Sequence, residues 1–178
     1  MEPCTKAVVC MGPWSGWVAE WVGRPSPLPI EGLTSASLLY QPPGGAWLAA
    51  FESAPPTVLF CGDDRAGRGT HIEVYPRQGG QVYVCGLAGE KTVEELLGLG
   101  SKPTAAQACL RPCAVDAIPL MGPLVGKGEG GKGRGVYMAA GHNCWGILWG
   151  PITGKLMVQL MAGEATDVDL GPFDPQRF

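Results

Sequence analysis

The sequence has little charge of either sign, no basic excess, almost no histidine and no long apolar run. Charged residues are 16% of the 178, with 13 Lys and Arg against 16 Asp and Glu, and the formal net charge is −3. That balance leaves no basic face of the size that nucleic acid demands, so a nucleic-acid partner is not expected. No stretch reaches the roughly 18 apolar residues of a membrane-crossing helix, so no membrane span is expected. Glu2 and the absence of a basic region before an apolar segment do not read as a secretory signal. Two histidines offer no acid–base triad.

Paired cysteine spacings are also missing. The seven cysteines lie at 4, 10, 61, 85, 109, 113 and 144, and only Cys109 and Cys113 are close. No second Cys or His pair accompanies them, so no metal site is expected. They read as mostly buried, reduced thiols of an intracellular protein, cytoplasmic or organellar. Asp63 and Asp64 sit in a charged, glycine-rich loop (62–69), where adjacent carboxylates are usually solvated rather than metal-bound.

What is abundant is glycine and proline, 28 and 17 residues, alongside a hydrophobic share of 46%. The first implies many turns between short elements, and the second argues against disorder. The length fits one domain, or two parts of a larger one, with enough chain to bury a core.

The pattern predicts an α/β chain with an α+β part. Lys6 to Met11 is a short apolar strand closed by Gly12. Pro13 then opens a helix with Trp14, Trp17 and Trp21 at helical spacing, a stripe expected to pack in the core. Thr34 to Tyr40, Ala46 to Phe51 and Thr57 to Cys61 read as extended segments. His71 to Cys85 is the clearest hairpin, with alternation on both arms around Gly79 and Gly80. Thr92 to Leu99 is a short helix with a Thr92/Glu95 capping box. Ala105 to Arg111 is a strand expected to end at Pro112, and Ile118 to Met121 is a short apolar piece. Residues 125–135 are low complexity. Their glycines mimic a phosphate loop, but Gly133 stands where Ser or Thr is needed, and they precede a strand instead of following one, so a flexible surface loop is expected. After Gly163 the tail is irregular and proline-bound.

The organising stretch is residues 135–161. Val136 to Ala140 reads as a buried parallel strand, Gly141 ends it, and Gly146 and Gly150 leave a turn without Cβ atoms. Pro151 suits the first position of a helix and Gly163 its stop. A helix N-terminus carries unpaired N–H groups and partial positive charge, so this corner is either an ordinary buried strand–helix junction or an anion site. Arg111, after an apolar stretch, is either an ordinary surface or salt-bridged arginine or the holder of a carboxylate. Cys144 beside His142 raises the idea of a thiol nucleophile, but no third orienting group can be read.

Several stretches together resemble the C-terminal half of FAD-dependent oxidoreductases of the D-amino-acid oxidase, glycine oxidase and sarcosine oxidase superfamily, in particular a glycine-oxidase-like putative oxidoreductase branch. They are Val8 to Ser15, Ile72 to Arg77 with Val82 to Gly86, Gln107 to Pro112 leading to Asp116 and Pro119 to Gly122, and Gly141 to Ile147 with Gly150 to Lys155. They occur in the family's order and cover nearly the whole chain.

The resemblance implies an incomplete, Rossmann-like FAD-binding domain plus a mixed β-sheet substrate domain. Residues 1–32 and 113–165 would be FAD-domain pieces, 33–112 most of the substrate sheet, and 166–178 an irregular tail. It implies FAD as cofactor and a small amine or amino acid as substrate. Gly141, His142, Asn143, Cys144, Trp145, Gly146 and Ile147 would lie against the flavin's pyrimidine end, with Met11 and Gly12 near it. Arg111 would hold a substrate carboxylate. Cys109 falls where the sarcosine-oxidase branch attaches its flavin covalently, although its flanking residues differ, and a buried structural thiol is expected there instead. The family's βαβ unit, with its glycine turn for the pyrophosphate, is absent. The chain is therefore expected to be part of an enzyme that needs its N-terminal half, or else a non-catalytic binding or assembly module.

Overall fold

The computed structural model describes residues 4–24, 26–41, 53, 57–63, 70–77, 79–87, 103–125 and 134–178. The segment expected to be extended over 46–51, the helix over 92–99, most of the loop at 62–69 and the glycine-rich stretch 126–133 lie outside these residues. The chain divides into two compact units, one of residues 1–33 and 110–178, the other of residues 34–109.

The first unit is built on a three-stranded sheet ordered β1-β8-β7, where β1 is Ala7–Val9, β7 is Leu120–Pro123 and β8 is Val136–Ala140. β8 runs parallel to β1, with Val8 opposite Tyr137, and antiparallel to β7, with Met121 opposite Ala139. The apolar run of β8 alternates between two cores, as a strand covered on both faces must. Met138 and Ala140 join Leu120, Val9, Val18 and Ala19 on one face. Tyr137 and Ala139 turn to Met121, Leu156, Met157 and Leu170 on the other.

The second face is covered by helix α2, Gly146–Ala162, which Gly163 ends in the left-handed conformation at φ 78°. Gly163 stops the helix as its position predicted, but Pro151 does not start it. α2 begins five residues earlier, at Gly146, and Pro151 lies inside it. The proline forgoes one backbone bond near the helix start, and burial of Leu156 and Met157 further along holds the helix in register.

The first face is covered by a 3-10 segment, Gly12–Trp17, running into the short helix α1, Val18–Trp21. Here the expected tryptophan core does not form. Trp14, Trp17 and Trp21 are 56%, 66% and 63% exposed. The inward side of this segment is Ser15, Gly16, Val18 and Ala19 instead, because the backbone comes too close for large rings. A Cβ on Gly16 would stand 2.4 Å from the Leu28 carbonyl oxygen, and Leu28 N–H donates to the Gly16 carbonyl at 3.1 Å. Gly16→Ala should therefore lower unfolding stability by about 1–3 kcal/mol, read as a lower urea midpoint at unchanged slope.

The second unit carries a five-stranded sheet ordered β3-β4-β5-β2-β6, with β2 Ile30–Tyr40, β3 Leu59–Asp63, β4 Thr70–Pro76, β5 Val82–Leu87 and β6 Ala105–Ala114. β2 and β6 are shared between the units. The predicted hairpin forms, Tyr75 facing Tyr83, closed by Gly79 and Gly80 at φ 82° and 77°. One face is a core of Leu38, Tyr40 and Val84 with Ile72, Val74 and Val82. β6 does not stop at Pro112. It lies at the end of the sheet order, where a missing N–H can face away from the ladder, and so continues to Ala114.

The thiols also depart from expectation. All six described cysteines outside the 61 position are free, but only Cys85 and Cys113 are buried, while Cys4, Cys10, Cys109 and Cys144 are exposed. The expectation of a buried structural thiol at Cys109 is therefore corrected. Cys109 sits on β6 in a run of exposed residues from 105 to 110, with nothing to cover that strand's rim among the described residues.

Candidate functional site

β8 delivers the chain to Gly141, whose φ of 85° turns it sharply. Asn143 follows at φ 51°, a left-handed conformation that asparagine tolerates better than most residues. Asn143–Trp145 form one 3-10 turn, and α2 begins at once. No side chain caps either helical start, and no acidic residue sits in either first turn. Trp145 N–H donates to the His142 carbonyl at 3.0 Å, and among the described residues the N–H groups of Asn143 and Cys144 ahead of it are left for a ligand or solvent. Gly150 has no atom within 4 Å of where its Cβ would be, and Gly146 meets only the His142 Cβ, at 3.7 Å.

These features fit the ring end of a flavin. An uncapped helix start offers N–H donors to an electron-rich ring edge, and a Cβ-free floor lets a flat group come close. Ile147 is 96% exposed at this start, with Leu148 and Trp145 also open. Beyond the end of β1, Gly12 follows Met11 and opens the 3-10 segment at φ 59°, with open space at its Cβ position. The described residues provide no equivalent seat for a pyrophosphate, because none of their strand-to-helix turns carries the G-x-G-x-x-G spacing.

Two anchors fix the turn. Its backbone joins β6 through an isolated antiparallel bridge between His142 and Cys113. Its imidazole shares a 3.0 Å hydrogen bond with Thr153 Oγ1, through Nε2. Among the described residues the imidazole's side-chain partner is Thr153 and not the Cys144 thiol that adjacent His142 and Cys144 suggested. Burial pulls the His142 pKa below its ordinary value, which favours the neutral ring.

Arg111 stands two residues before Cys113 on β6, so strand alternation puts both side chains on one side, away from Leu110. It is half-buried and makes no hydrogen bond or ion pair among the described residues. A fork of N–H donors without a partner, on the strand that bridges to the turn, can take a carboxylate. Cys113 itself is buried, and burial pushes its thiol up, with Asp116 adding to the effect.

Beyond Cys113 the chain is clamped by its own tail. Arg177 Nε and Nη2 donate to the two oxygens of Asp116 at 2.8 and 3.2 Å, and Nη2 also reaches the Ile118 carbonyl at 2.7 Å. The Arg177 hydrogen bond, reinforced by the Ile118 N–H, holds the Asp116 carboxyl below its ordinary pKa against the opposing effect of burial. A lowered folded-state pKa contributes stability above the unfolded value near 3.9, and loses it as pH falls through the folded value. Arg177→Met should cost about 1 kcal/mol at pH 7, discounted for partial exposure, and its stability gap to the parent should close as pH falls through the lowered pKa of Asp116.

Sequence reasoning missed Thr153, which its helical position disguised as an ordinary surface residue, and the tail clamp, whose partners lie far apart in the chain. It also passed over the polar side of the hairpin. There the Tyr75 hydroxyl donates to Glu73 Oε2 at 2.5 Å, which pushes the Tyr75 pKa up to about 12. Arg77 lies over the Tyr83 ring at 4.3 Å. Alternation alone could have placed Glu73, Tyr75, Tyr83 and Cys85 on one face. No group of metal-binding side chains forms among the described residues, and no helix there is long and apolar enough to cross a membrane.

The profile of the family described as DAO, FAD dependent oxidoreductase, matches residues 2–160. The Saccharomyces cerevisiae protein named "Putative oxidoreductase TDA3" is 30% identical over 97% of this chain and 35% of its own length. A glycine oxidase of Pseudomonas putida is 24% identical over 96% of this chain and 45% of its own. Among solved structures, glycine oxidase from Geobacillus kaustophilus superposes with a TM-score of 0.67 at 23% identity, over 97% of this chain and 45% of that one. The chain spans between a third and a half of the length of these relatives.

Proposed function

Because this chain belongs to the FAD dependent oxidoreductases, we propose that it supplies the flavin-ring seat and the substrate-holding strand of an oxidase or dehydrogenase of amines or amino acids. The observation that carries this reading is the Cys113–His142 bridge, which joins the strand of Arg111 to the uncapped turn at 141–147. In this reading Arg111 holds the substrate carboxylate. Backbone N–H groups from Gly141 to Ile147 face the ring's pyrimidine end, and Met11 and Gly12 lie near it. Residues 1–32 and 113–165 serve the cofactor, 33–112 the substrate, and 166–178 the clamp.

The flavin, when bound, supplies the acceptor for a hydride leaving a substrate C–H next to nitrogen. The protein's own share is orientation and electrostatics. The helix start favours the negative charge of a reduced ring, and Arg111 fixes which C–H is presented. Cys109, exposed on β6, is accessible for covalent attachment, a minor branch of the same reading.

The cofactor's adenosine half needs a further segment. Among the described residues β1 is paired on one side only, with β8. Beside it a cavity of about 510 Å3 is lined by Val8, Cys10, Ala139, Gly150, Gly154 and Met157. An open parallel edge next to an apolar hollow suits a strand–helix unit, which would complete the sheet and fill the hollow. The experiment joins this chain to an N-terminal half from a relative and records visible absorbance with FAD. Flavin bands that survive gel filtration support the reading, and a colourless, folded product overturns it. The alternative, a non-catalytic assembly module, is favoured by the missing phosphate turn. It predicts that the joined protein takes up no flavin and that FAD leaves its melting temperature unchanged.

A further inference from the structure

The 141–147 turn takes two left-handed positions within three residues. Gly141 does so freely, and Asn143 at 51° does so at a steric cost that is smaller for asparagine than for most residues. The backbone bridge to Cys113 restrains the turn just before Asn143. A second restraint on His142 comes from a side chain eleven residues further on, inside α2. Thr153 is a β-branched residue inside α2, where such residues are poor helix formers. Its hydroxyl is not spent on solvent. It meets His142 Nε2 at 3.0 Å across the helix face left bare by Gly146 and Gly150. The same imidazole stands edge-on to Trp149 at 6.5 Å, and Trp149 stacks on Trp145 at 5.7 Å. His142 and Thr153 both line the cavity beside β1, and the residues around them there are apolar, glycine or Cys10, none carrying a charge.

From this geometry we infer that Thr153 is a positioning residue. Its bond to His142 is the latch that holds the turn with its N–H groups presented to the cofactor ring. Nothing else among the described residues ties the side chains of the turn to the body of α2 by a hydrogen bond. Without the bond, Asn143 relaxes toward ordinary backbone angles and the N–H groups lose their common direction. The inference rests on the turn being the flavin's seat, but the latch has observables of its own.

The test compares the full chain with Thr153→Val, which keeps the shape and removes the bond, and Thr153→Ser, which restores it. With only two histidines in the sequence, imidazole NMR reports His142 directly once His71→Asn has assigned the other. Thr153→Val should move the His142 titration and speed amide exchange at 143–146 by about tenfold, while β8 amides keep their protection. Thr153→Ser should behave as the parent. Exchange in Thr153→Val within twofold of the parent, or a rise shared equally by β8, overturns the latch. In the joined protein, Thr153→Val should weaken FAD binding about tenfold and shift the visible flavin bands. Unchanged affinity and spectrum there overturn the positioning role. A joined parent protein that takes up no flavin sinks the cofactor reading, and the exchange result on the chain alone still decides the latch.

Discussion

Arg111→Met, introduced into the joined flavoprotein, should lower kcat/KM for a carboxylate-bearing amine by about 10²–10³-fold, mostly through KM. Each charge-assisted bond from a guanidinium to a carboxylate contributes about 1.5–3 kcal/mol, and every 1.4 kcal/mol is a factor of ten. A carboxylate gripped by Arg111 would be held alike in ground and transition states, so its loss should appear as weaker binding more than as slower chemistry. Arg111→Lys should recover part of the loss, because an ammonium keeps the charge but not the fork. The half-buried state of Arg111, without a partner among the described residues, matters here. An arginine already engaged in an ion pair would show a stability cost instead. Steady-state kinetics with an amine and its carboxylate-free analogue separate the cases, and equal effects on both substrates would remove Arg111 from substrate recognition.

The second large effect is on folding. Leu120→Ala should cost about 2–5 kcal/mol, a large share of the 5–15 kcal/mol that holds an ordinary domain together. Leu120 is 0% exposed at the start of β7, in the core shared by β1, β8 and the α1 segment. The cavity it leaves cannot collapse, because β7 is pinned on both sides. β8 pairs with it, Leu120 opposite Ala140, and Pro175 of the tail presses on Gly122, where an added Cβ would stand 2.9 Å from the ring. Urea unfolding followed by tryptophan fluorescence reads the change. A loss under about 1 kcal/mol would mean that this core repacks freely, contrary to the close contacts on both sides.

Much of this was written locally. β8 occupies the predicted Val136–Ala140, because an apolar run with glycine behind it admits little else. The hairpin turns at Gly79 and Gly80 because left-handed positions demand glycine, and Gly163 ends α2 for the same reason. The resemblance carried by the ordered segments reached the family and its cofactor, since they hold the backbone shapes that such a fold needs. What failed locally failed for a common reason: each rested on a neighbour far away in the chain. The Trp14, Trp17 and Trp21 stripe has helical spacing, but the Leu28 carbonyl beside Gly16 reserves the inner face for small side chains. Pro112 looked like a strand end until the sheet order placed β6 at an edge. Cys109 looked buried from composition and is exposed by the same edge.

The sequence by itself determined where the chain bends, which runs are apolar on both sides and which family pattern those runs follow. These are properties of single segments and their dihedral preferences. Only the tertiary structure decided which residues meet: His142 with Cys113 and Thr153, and Arg177 with Asp116. Such contacts depend on packing across 11 to 61 residues of chain, which no local preference encodes.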